Sequence, residues 1–164
     1  MATNRTYRPV EARLVSEYLA SQWSAYRTVQ HVRVGAFVSP GDDRELTPGE
    51  SRMLGTWRRW IDAIVIRPAS TLLIEAAVIP HPGDISMLEA YMRLWPATPE
   101  FPEARDRPAA ARLVYAVYDQ TVEALAMERG ILTEVFSPPW VKDYLDTLYP
   151  RKRRAPVRPI PGAA

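Results

Sequence analysis

The sequence has no cysteine, which excludes a disulfide framework and any thiolate-bound metal. Histidine is almost as scarce. His31 and His81 stand far apart, with no HxxH or HExxH spacing to suggest zinc. Of 21 basic residues only Lys142 and Lys152 are lysines, so nearly every cation available to a site before the C-terminal region is an arginine. No apolar run approaches the roughly 20 residues that cross a bilayer. The opening MATNRTYRPVEAR lacks an apolar h-region, so neither a membrane span nor a signal peptide is expected. Gly41, Gly49 and Gly55 form no phosphate-loop pattern, and no GxSxG elbow is present. A net charge of +2 gives no broad basic field of the kind that drives nucleic-acid binding by itself.

What is present suits a packed core. The 164 residues are 47% hydrophobic, with five tryptophans and eight tyrosines, enough for one domain. Residues 8–25 place Val10, Leu14 and Tyr18 at helical spacing. Residues 26–38 carry Val29, Val32 and Val34 and read as a strand. Pro and Gly punctuate 39–50 as a loop. Two apolar strands follow at 57–67 and 71–79, joined by Pro68-Ala69-Ser70. A helix is expected over 85–95, with Asp84 as its N-cap, then a loop over 96–109 holding four prolines. A strand at 111–118, a helix at 121–129 closed by Gly130, a strand at 131–136 and a helix opened by Pro138 complete the domain. The order α-β-β-β-α-β-α-β-α predicts an α/β fold over residues 1–149, with a central mixed sheet flanked by helices. Residues 150–164, PRKRRAPVRPIPGAA, form a basic, proline-rich tail expected to be extended and to add nothing to the core.

The stretch WRRWIDAIVIRPASTLLIEAAVIP holds the chemistry. Asp62 sits on the first strand of the hairpin and Glu75 on the second, and alternation on each strand is expected to point both carboxylates to a common side. Carboxylate oxygens suit Mg²⁺, which can polarise a phosphoryl oxygen and make hydroxide near neutral pH. The plain alternative is an ion pair, for Asp62 with Arg58 or Arg59. Arg58 and Arg59 beside Trp57 and Trp60 read either as a stacking clamp for nucleic acid or as a solvated strand end.

Asp62 on the second core strand and Glu75-Ala76-Ala77 on the third resemble the motif of the PD-(D/E)xK nuclease superfamily. Helix, three strands, helix, strand is that superfamily's core order, so the resemblance implies a restriction-endonuclease-like core over residues 10–118. It further implies that Asp62 and Glu75 would ligate Mg²⁺, that Glu17 or Glu11 on the first helix would add a ligand, and that a lysine should stand at position 77. Ala77 stands there instead. Glu75 and Ala77 share a side of the strand, so a methyl replaces the ammonium beside the attacking water. Arg93 on the following helix would be a charge stabiliser and a poor base.

The longer sweep RRWIDAIVIRP, LLIEA, PGDISMLEAYMRLWPATPEF and SPPWVKDYLDTLYP resembles small proteins encoded among tailed-phage virion genes. Together the two resemblances imply a non-catalytic nuclease-fold protein of protein–protein assembly. Its expected setting is the neck or head–tail connector of a virion, made in the host cytoplasm, with other virion proteins or copies of itself in a ring as partners. No cofactor is then expected, and Asp62, Glu75, Ala77 and Glu17 are vestigial. Arg151, Lys152, Arg153, Arg154 and Arg158 are the expected partner-binding residues. The alternative is an active Mg²⁺-dependent DNA nuclease with Asp62 and Glu75 as ligands.

Overall fold

The computed structural model describes residues 9–36, 47–49 and 58–150. Most of the loop expected over 39–50, Trp57, and all of 151–164 lie outside the described residues. Helix α1 (Pro9–Gln22) leads to β1 (Arg27–Val34), β2 (Arg59–Ile66) and β3 (Thr71–Ala77). Helix α2 (Pro82–Leu94) continues into a 3₁₀ turn, Trp95–Ala97, and a one-turn helix α3 (Pro102–Arg105). Then come β4 (Ala109–Tyr115), α4 (Gln120–Glu128), β5 (Leu132–Val135) and α5 (Trp140–Leu148). The fold is α/β, a five-stranded mixed sheet in the order β1-β2-β3-β4-β5 with helices on both faces. β1, β2 and β3 pair antiparallel, while β3–β4 and β4–β5 pair parallel. A right-handed crossover through a helix is what a parallel pair demands, and α2 and α4 supply the two connections. The expected helix–three strands–helix–strand order is the order observed.

The local signals explain most boundaries. The turn after β2 closes on a bond from Arg67 N–H to the Ser70 carbonyl, 2.9 Å. α4 starts where Asp119 accepts hydrogen bonds from the Thr121 and Val122 amides, and ends at Gly130, whose φ of 66° is the left-handed conformation glycine tolerates. At α2 the expectation is corrected. His81 is the N-cap and Pro82 the first helical residue; Asp84 is the third, and its carboxylate reaches back to accept the His81 N–H at 2.8 Å. The proline-rich segment expected as loop also holds α3, because Pro102 suits a first helical position and Phe101 before it packs into the core.

Two clusters sandwich the sheet. On one face Val32, Val34, Ile61, Ile64, Leu73, Leu113 and Tyr115 meet α2 and α4 through Leu88, Tyr91, Trp95 and Val122. On the other, Ala63, Val65, Leu72, Ile74, Ala76 and Val114 meet α1 and α5 through Leu14, Val15, Tyr18, Leu19 and Val141. β3 is buried at every position, as a strand covered on both faces must be. α1 is tied across the sheet by polar contacts. Tyr18 Oη donates to Glu134 at 2.6 Å, and Arg112 donates to both, at 2.8 Å to Tyr18 and 2.6 Å to Glu134. Burial, then the bond to Glu134, raises the Tyr18 pKa above its ordinary value.

The Tyr115 hydroxyl, on the opposite face, donates to Glu123 of α4, and burial followed by that bond pushes its pKa up to about 12. A phenol whose folded pKa exceeds the unfolded value of 10.0 contributes stability that is complete below pH 10 and is lost as pH rises through 12. Tyr115→Phe should therefore flatten the fall in urea midpoint between pH 10 and pH 12. An unchanged alkaline profile would show that this hydroxyl is not held as described.

Candidate functional site

The hairpin that carries the two acids breaks its own alternation. Along β1, Val29 and Val32 both face the α2–α4 side, and along β2 so do Ile61 and Ile64. The pairing register is the same before and after, from Arg27↔Ile66 to Val34↔Arg59. Both strands thus switch faces at the step between Val29–Ile64 and Val32–Ile61. His31 lies in that step with φ 54°, a left-handed conformation unusual for a residue with a side chain. Its ring stacks on Trp60 at 3.9 Å between centroids, and the Arg33 guanidinium lies 4.5 Å from the same indole.

Asp62 occupies the switch. Its direction is therefore not set by alternation from its neighbours, and its carboxylate turns along the sheet. Oδ2 accepts the Ala76 N–H at 2.8 Å. The β2–β3 ladder runs from Ile66↔Thr71 to Ala63↔Ile74, and the carboxylate takes over as acceptor where that ladder stops. Glu75 lies next to it: continuing the register by one residue sets Glu75 across from Asp62. Glu75 is 0% exposed, follows Leu73 to the α2–α4 side and pairs in register with Leu113. Ala77, in register with Tyr115, is buried on the same side as Glu75.

The other expected participants are placed elsewhere. Glu17 accepts from Arg13 Nε and from Trp140 Nε1, both at 2.8 Å, so its carboxylate belongs to the seam between α1 and α5. The Arg13 hydrogen bond, then that of Trp140, holds its pKa below the usual range. Glu11 is the acid of α1 that is buried, at 9% exposure. Trp23, just past α1, lies beneath Arg67 and Arg112 near the start of β3 and β4. Arg58 is not Asp62's partner: it pairs with Glu100 and donates to the Arg33 carbonyl at 2.7 Å. Arg93 is exposed along an open groove on α2 with Ser86 and Glu89.

Among the described residues no three of His, Asp and Glu gather within reach of one metal ion. Mg²⁺ asks for six oxygens at close to octahedral positions. Here one carboxylate already accepts a backbone amide, the other is enclosed in the sheet face, and position 77 offers a methyl. On the described residues this set does not fit the ion. The sequence pointed correctly to the two strands and their acids. It gave no signal for the Asp62–Ala76 bond, whose acceptor and donor lie on different strands.

No protein-family model matches the chain, and no curated protein matches it. Among solved structures it is similar to a repair endonuclease from Pyrococcus abyssi, with TM-score 0.47, 9% identity, and cover of 84% of this chain and 50% of that one. It is similar to EndoMS in a complex with dsDNA, with TM-score 0.45, 9% identity, and cover of 85% and 49%. A protein of unknown function gives TM-score 0.43, 14% identity, and cover of 84% and 62%. The chain thus spans between 49% and 62% of the length of these proteins. The class defined here is an α/β fold with a five-stranded mixed sheet flanked by helices, and it rests on the element order and sheet topology above.

If Asp62 is the acceptor that ends the β2–β3 ladder, Asp62→Ala leaves the Ala76 amide without it and should cost about 1–3 kcal/mol in urea unfolding. Asp62→Asn keeps a side-chain oxygen and should cost clearly less. Equal stability of Asp62→Ala and wild type would remove the structural role.

Proposed function

We propose that this chain is a non-catalytic protein of nuclease-like fold that acts in protein–protein assembly. The observation that carries the first half is the state of the acid pair. Asp62 spends an oxygen on the Ala76 amide, Glu75 is enclosed, and Ala77 supplies no cation. A phosphodiester hydrolase of this design needs a metal to polarise the phosphoryl oxygen and a basic group beside the water. Neither requirement is met by the described residues around the hairpin. Support for assembly comes from the surface: six of the eight large hydrophobics most exposed among the described residues fall within residues 118–149. Exposed apolar side chains of this size mark contact surfaces where they adjoin in space. The tailed-phage neck or connector setting, with virion proteins as partners, is supported by the sequence resemblance alone.

A second reading, an Mg²⁺-dependent DNA nuclease, draws on one observation, the adjacency of Asp62 and Glu75 on the hairpin. The two are separated by incubating single- and double-stranded DNA with the protein and Mg²⁺ or Mn²⁺ at neutral pH. No cleavage above buffer is expected. Cleavage that disappears in Asp62→Asn would overturn the proposal and establish the second reading.

A further inference from the structure

We draw no further inference here: the strongest candidate, the side-chain cluster of Arg67 and Arg112 beside Trp23 with Arg107 at the β2–β3 turn, carries nothing, because Arg112 already donates to Tyr18 and Glu134, Arg107 donates to the Arg67 carbonyl, and nothing in the structure shows what would meet Arg67.

Discussion

β3 is the constraint on which the rest depends. From Thr71 to Ala77 it buries every residue, pairs antiparallel with β2 and parallel with β4, and presents its two sides to two separate clusters. A strand covered in this way tolerates no unplanned polar group, because a buried charge without partners costs several kcal/mol. On the neighbouring strand, Asp62 accepts the amide of Ala76 at 2.8 Å. Remove the Asp62 carboxylate and the amide of Ala76 faces the gap where the ladder ends. The same short stretch thus joins β2 to β3 and carries both acids.

The second dependence runs through the edges. β1 changes face at His31, and β2 changes face with it, which puts Val32, Val34 and Ile61 in the α2–α4 core. The left-handed backbone at His31 costs about 1–2 kcal/mol, and the stack on Trp60 lies where it can offset part of that. At the opposite edge, Tyr18, Arg112 and Glu134 bind α1 to β4 and β5, so the last strand is secured although it is only four residues long.

The sequence displayed the elements because their signals are local. Alternating or continuous apolar runs marked β2 and β3, apolar residues at helical spacing marked α1, and Gly130 marked the end of α4. It did not display contacts whose halves lie far apart in the chain. Arg58 finds Glu100, Trp140 finds Glu17, and Asp62 finds an amide on the next strand; none of these has a spacing rule. Asp84 was placed at the right helix end and given the wrong position, since an acid at the cap and an acid at the third residue look alike until the backbone is seen. The acids of the hairpin were legible as residues, but their use was not, because alternation is the rule that sequence reading assumes and His31 is where the sheet departs from it.

The proposal has Asp62 serving the sheet through the Ala76 amide rather than holding a metal together with Glu75. Paramagnetic Mn²⁺ added to labelled protein tests it most directly, with the backbone resonances of Asp62 and Ala76 followed by NMR. No selective broadening is expected there at millimolar Mn²⁺ beyond that of exposed carboxylates. Saturable broadening centred on Asp62 and Ala76, abolished by Asp62→Asn, would contradict it.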